Sequence, residues 1–211
     1  MSRRTKMATL ATRYIKPSDQ KETIEFTSGG LDDIIKVILK ADRESAQWTK
    51  DFAPLLRKGD DYSTLRNIWD FVRRNIRYVA DRTGYEKIKS PGATWASRYA
   101  DCKGMSVFVG SILRNLGYDY YYKVVFYDKN RPEQGHIYPV VLLGDQEIII
   151  DAVHYRFDEE VPYWKGYAYS GATGEKVAIS GSPVISWYLQ MGLLALSGFL
   201  LWNNRPQKIA A

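Results

Sequence analysis

From Cys102 to Leu116 the chain reads CKGMSVFVGSILRNL, and apolar residues cover nearly the whole helical circumference: Met105, Val107, Phe108, Val109, Ile112, Leu113 and Leu116. A helix that is apolar almost all round has no face to offer water and belongs inside a core. Gly117 follows its last turn and is a natural stop. Three runs rich in β-branched and aromatic residues come next, over 120–127, 137–143 and 147–153. Gly144-Asp145, between the last two, reads as a hairpin turn. A buried helix followed by antiparallel strands is thus expected.

Helical patterns also come earlier in the chain. Leu31, Ile34, Ile35, Val37, Ile38 and Leu39 follow a Gly29-Gly30 break. A second pattern over 45–56 carries Trp48, Phe52, Leu55 and Leu56, ended or bent by Pro54. A third opens at Ser63 or Thr64 and aligns Leu65, Ile68, Trp69, Phe71, Val72 and Ile76, with Arg66, Asp70, Arg73 and Arg74 outside. Residues 89–100 read as loop, with a turn at Ser90-Pro91-Gly92. Helices followed by a central helix and then strands give an α+β class. The first 28 residues, basic at Arg3, Arg4 and Lys6, lack the apolar core of a secretory signal and read as an arm, partly extended.

Composition narrows the chemistry. The chain has 211 residues, 45% of them hydrophobic and 14% aromatic, enough for a core and against wholesale disorder. Thirty Lys and Arg against 24 Asp and Glu give a net charge of +6, which permits contact with anionic surfaces. No Lys/Arg run forms a nucleic-acid patch, so no specific nucleic-acid partner is expected. One cysteine excludes an internal disulfide, and with two histidines it is too little for a usual zinc site, so no metal or cofactor is expected. Thiol chemistry must use Cys102, and imidazole chemistry must use His136 or His154.

Cys102 follows Asp101 at the head of the apolar helix, where unpaired N–H groups and the positive end of the helix dipole favour a thiolate. A thiol nucleophile needs a base, and the base needs an orienting group. If 137–143 pairs with 147–153 about Gly144-Asp145, His136 comes opposite the neighbourhood of Asp151. The imidazole then hands one N–H to the carboxylate and turns its other nitrogen toward a thiol. Asp151 closes the run Ile148-Ile149-Ile150, and a carboxylate in such a run has a partner. His154 is the competing imidazole. The backbone N–H of Cys102 is the first candidate oxyanion donor, and Trp95 and Tyr78 are side-chain candidates. Lys103 reads as an exposed surface charge.

The strings IRY over 76–78, SPGATWASRYADCKGMSVFVGSILRNLGY over 90–118, GHIYPVV over 135–141 and IIIDAV over 148–153 together resemble the transglutaminase-like superfamily of papain-like thiol enzymes, over roughly residues 65–153. The chain departs from that pattern at Ala100, where a glycine is usual, at Ile137-Tyr138-Pro139 and at Ala152. The resemblance implies a papain-like α+β fold with Cys102 as nucleophile, His136 as general base and acid, and Asp151 as orienter. It implies amide cleavage through a thioester; the basic surface, together with the membrane tether read below, suggests a membrane-proximal protein or a peptidoglycan peptide as substrate. The alternatives are a crosslinking transglutaminase and a catalytically silent adaptor.

Residues 184–202 (VISWYLQMGLLALSGFLLW) carry no charge. As a helix they extend about 28 Å, close to bilayer hydrocarbon thickness. Trp187, Tyr188 and Trp202 lie near the ends, where interfacial aromatics belong. The expected organisation is an arm (1–28), a catalytic domain (29–162), a tether (163–183), a single C-terminal transmembrane helix (184–202) and a short tail (203–211). That places the protein on a membrane, either a virion membrane or a bacterial inner membrane.

Overall fold

Helix α5 (Cys102–Leu116) runs through the core, and every residue from Cys102 to Leu113 is buried. The computed structural model describes residues 3–15, 23–26, 30–82, 86–131, 134–177 and 179. The polar residues of α5 are satisfied from neighbouring elements. The Ser106 hydroxyl donates to the Ile137 carbonyl at 2.9 Å, and Ser111 accepts from Thr49 at 3.1 Å. Small residues let the packing close: a Cβ at Gly110 would lie 2.0 Å from the Tyr122 hydroxyl oxygen. Gly117 ends the helix at φ +78°, a conformation that glycine adopts without strain.

On one side of α5 lie α2 (Leu31–Thr49), a short 3-10 turn (Ala53–Leu56) and α3 (Asp61–Asn75). The two expected patterns over 31–56 merge, because α2 continues through Ser45 to Thr49 before Pro54 enters the 3-10 turn. The cap of α3 is Asp60, whose side chain accepts from the Ser63 N–H at 2.7 Å, and not Ser63 or Thr64. Asp42 of α2 is fully buried and holds Arg114 of α5 at 2.9 Å and the Tyr120 hydroxyl. A buried carboxylate of this kind requires such partners.

The opposite side is a sheet of β5 (Tyr120–Phe126), β6 (Gly135–Leu143), β7 (Gln146–Ile149), β8 (Lys165–Ser170) and β9 (Lys176–Val177). Its order is β7-β6-β5-β8-β9, with every pairing antiparallel. Tyr122, Val124, Ile137, Val141 and Ile148 face the helices. Tyr121, Val125, Tyr138, Val140, Tyr163 and Ala168 form a second cluster. The class is α+β, as expected, and the β6–β7 hairpin turns at Gly144-Asp145.

Three segments differ from their expectation. The arm contains α1 (Arg3–Tyr14) and β1 (Thr23–Phe26); Ala11 and Ile15, one helical turn apart, dock into the main core. The 89–100 segment is not loop: β3 (Glu86–Lys89) pairs with β1, and α4 (Pro91–Ser97) follows. Ser90 caps α4 by accepting from the Ala93 N–H at 3.1 Å, and Pro91 occupies its first turn. Residues 165–177, expected as tether, contribute two strands to the sheet. Finally β4 (Tyr99–Ala100) pairs in parallel with β2 (Arg77–Tyr78), laying the end of α3 beside the entry to α5. The expected membrane span and tail, 184–211, lie outside the described residues. Among the described residues no helix is long and apolar enough to cross a membrane.

Candidate active site

Cys102 is the first residue of α5. Asp101 before it is extended (φ −83°, ψ −172°) and caps the helix by accepting from the Gly104 N–H at 3.0 Å. This leaves the sulfur at the helix N-terminus, where backbone N–H groups are unpaired within the helix. The Cys102 side chain is buried at the floor of a cleft of about 340 Å³. Ile34, Ile35 and Ile38 of α2 form one wall of this cleft, and Val124, Phe126 and Ile137 of the sheet form the other.

His136 reaches the sulfur from the start of β6, where it pairs with Val125 of β5. Gly135 lets the strand begin tight against Phe126: a Cβ there would stand 3.2 Å from the ring. The rings of Tyr138 and Tyr127 flank the imidazole, with centroids 5.5 and 6.0 Å away. Nε2 lies 2.7 Å from Asp151 Oδ2, which leaves Nδ1 for the hydrogen-bonding interaction with Cys102. Burial alone disfavours the imidazolium. The hydrogen bonds to Asp151 and Cys102 and the charges on both outweigh it, and His136 is pushed up to about 10.

Asp151 owes its place to hairpin register. Val140 pairs with Ile149, and the Ile150 N–H still donates to the Pro139 carbonyl at 2.9 Å. The next residue leaves the ladder, and its carboxylate reaches back two residues along β6 to His136. Its second oxygen accepts from the N–H groups of Val153 and His154 at 3.0 and 3.3 Å. From α3, the Trp69 indole N–H donates to the Asp151 carbonyl at 2.8 Å, and Arg73 Nε donates to the His154 carbonyl at 3.0 Å. Sequence reasoning missed this clamp, because Trp69 carried only a core signal.

The other expected residues are disposed differently. The His154 ring sits against Tyr155 with its Nδ1 3.2 Å from the Arg156 carbonyl oxygen, apart from the Cys102–His136 pair. Trp95 is buried, stacked on Phe71 and edge-on to Phe108, under the Arg98 guanidinium, and does not line the cleft. Tyr78 is 46% exposed and pairs directly with Ala100 in the β2–β4 bridge. Burial, and then the negative charges of Cys102 and Asp101, push its phenol above the usual range, so it stays a proton-bearing donor. Lys103 is not a surface charge. It is only 9% exposed, and its ammonium contacts Asp101, Glu86 at 2.7 Å and Asp81 at 3.3 Å. Nothing local to Lys103 signals this, since two of its partners come from elements more than a dozen residues earlier. Among the described residues no group of three or more His, Cys, Asp and Glu is disposed to hold a metal ion.

No protein-family model matches the chain, and no curated protein does. A candidate protease from Parabacteroides distasonis superposes with a TM-score of 0.51 at 13% identity, over 71% of this chain and 31% of that one. A candidate cysteine protease from Cytophaga hutchinsonii gives 0.42 at 18% identity, over 68% and 47% of the two chains. Calcium-bound LapG of Legionella pneumophila gives 0.48 at 15% identity, over 74% and 98%. The chain thus spans less than half the length of the first two of these proteins. The likeness to the Parabacteroides distasonis protein is one of fold: the helices and antiparallel sheet of this chain follow the same arrangement.

Proposed function

We propose that the chain is a transglutaminase-like thiol hydrolase that cleaves amide bonds, with Cys102, His136 and Asp151 as its working residues. The observation that carries this reading is the 2.7 Å contact between His136 Nε2 and Asp151, with Cys102 on the other side of the same ring. The description of the Parabacteroides distasonis protein as a candidate protease supports it on the level of fold.

The chemistry follows from these positions. The Cys102 thiolate attacks the amide carbonyl carbon, and the oxygen takes up negative charge facing the Cys102 N–H at the helix start. Tyr78 is the better placed of the two side-chain candidates for a second donor, since Trp95 is locked in its stack. As the tetrahedral intermediate collapses, the imidazolium of His136 gives its proton to the leaving amine, and the acyl group stays on sulfur as a thioester. Neutral His136 then takes a proton from water, the hydroxide adds to the thioester, and the acid leaves as the thiolate re-forms. Asp151 keeps the ring oriented and stabilises its charged form throughout.

The substrate is a protein or peptidoglycan peptide, and the isoleucine-rich cleft fits an aliphatic or aromatic side chain beside the scissile bond. The uncharged run 184–202 tethers the enzyme to a bilayer; this rests on its sequence. Casein-type peptides, muropeptides and glutamine-plus-amine pairs offered to wild type and Cys102→Ala test the reading. Hydrolysis by wild type alone is expected. Turnover that persists in Cys102→Ala removes the thiol mechanism, and amine incorporation without hydrolysis makes the enzyme a crosslinker.

A further inference from the structure

Lys103, the residue after the proposed nucleophile, donates into three carboxylates from three parts of the chain. Asp101 is the cap of its own helix, Asp81 follows β2, and Glu86 opens β3. An ammonium has three donors, so this environment uses its full capacity. Each carboxylate has a second task. Asp101 holds the Gly104 N–H, Asp81 accepts from the Lys87 N–H at 2.7 Å, and Glu86 lines the cleft with Cys102 and Lys103. Burial alone would drive the proton off Lys103. The charge of Asp101, then Cys102, and the hydrogen bonds to Asp101 and Glu86 hold it on.

Three carboxylates beside a sulfur that must carry negative charge are an electrostatic liability. With Lys103 the cluster sums to −2, and without it to −3. Among the described residues, the other titratable groups that act on Cys102 are His136 from β6, with Asp151 behind it, Tyr78 from β2 and Tyr127 just past β5. Only His136 among these is a cation. Lys89, on the neighbouring strand, spends its ammonium on Ser97 and the Tyr99 carbonyl. The α2 wall is apolar.

We infer that Lys103 is a positioning residue of the thiol site: its ammonium gathers the three carboxylates and keeps their combined field off the neighbouring sulfur. This rests on Cys102 as the reactive group, but it does not require hydrolysis. Because the chain has a single cysteine, the rate of iodoacetamide alkylation against pH reports Cys102 alone.

Removing one unit charge at a neighbouring-side-chain distance moves the alkylation midpoint by about one pH unit. Lys103→Met removes the cation and shifts the midpoint up. Glu86→Gln removes one carboxylate and shifts it down by a similar amount. Lys103→Arg keeps the charge and holds the wild-type midpoint. The double variant Lys103→Met/Glu86→Gln returns toward wild type, an effect a merely structural lysine would not produce. If Lys103→Met does not fold, Glu86→Gln and Lys103→Arg still decide, since Glu86 is partly exposed. A midpoint that stays at the wild-type value in Glu86→Gln, or that moves in Lys103→Arg as far as one unit, overturns the inference. Wild type that shows the alkylation shifts yet cleaves no amide leaves it standing and overturns the hydrolase reading instead.

Discussion

Asp151→Asn removes the anion from the His136 pair while keeping the side chain's size. In wild type the imidazolium persists to about 10 against an ordinary 6.5, although burial works against it. With the anion gone, burial and the Cys102 interactions remain, and the ring titrates below its wild-type value. At pH 8 a smaller fraction of His136 is then protonated, and less of the acid that should protonate the leaving amine is present. An Asn amide also donates where the ring N–H must donate, which favours the wrong tautomer. A fall of about 10²- to 10⁴-fold in kcat/KM at that pH is expected.

The alkaline limb of the rate profile should move down from near 10, and imidazole proton shifts in NMR titrations should move with it. Stability follows the same linkage. A group whose folded value is raised contributes fully below the unfolded value of about 6.5 and loses that contribution as pH rises through about 10. The rise caps the contribution at about 5 kcal/mol. Asp151→Asn should therefore flatten the fall in urea-unfolding free energy between those limits. An unchanged alkaline limb in Asp151→Asn, with the fold intact, refutes the reasoning.

Two further substitutions test the frame that carries the site. Gly110→Ala puts a methyl group 2.0 Å from the Tyr122 hydroxyl oxygen, so α5 and β5 must separate; a loss of about 1–3 kcal/mol in urea unfolding is expected. Asp42→Ala leaves Arg114 facing a cavity and two tyrosine hydroxyls without their carboxylate, and should destabilise by about 3–5 kcal/mol. A Tm unchanged from wild type in either variant contradicts the packing described.

The elements written most plainly in the sequence are those whose environment is local. α5 announced itself by an apolar circumference, an acidic residue before its first turn and a glycine after its last. The β6–β7 hairpin did so by its turn and flanking runs, and its register brings His136 and Asp151 together. What was illegible depends on partners far along the chain. α1 looked like a basic arm because Ala11 and Ile15 are its buried anchors, with Met7, Ala8 and Tyr14 only partly buried against the core. α4 was hidden by Ser-Pro-Gly, which reads as a turn but here supplies a cap and a first-turn proline. Strand β8 has no β-branched residue and forms because the free edge of β5 takes Tyr167 and Tyr169 in register with Val124 and Tyr122. Lys103 looked like a surface charge because its carboxylate partners Asp81 and Glu86 arrive through the β2–β4 bridge and the fold of β3.

The thioester itself gives the most direct test. A cleavable ester or peptide mixed with wild type, quenched in acid and read by peptide mass spectrometry should show the acyl mass on the peptide containing Cys102. The same adduct should accumulate in His136→Ala only very slowly and be absent from Cys102→Ala. Hydrolysis that proceeds with no acyl group on Cys102, or with one on another residue, contradicts the account.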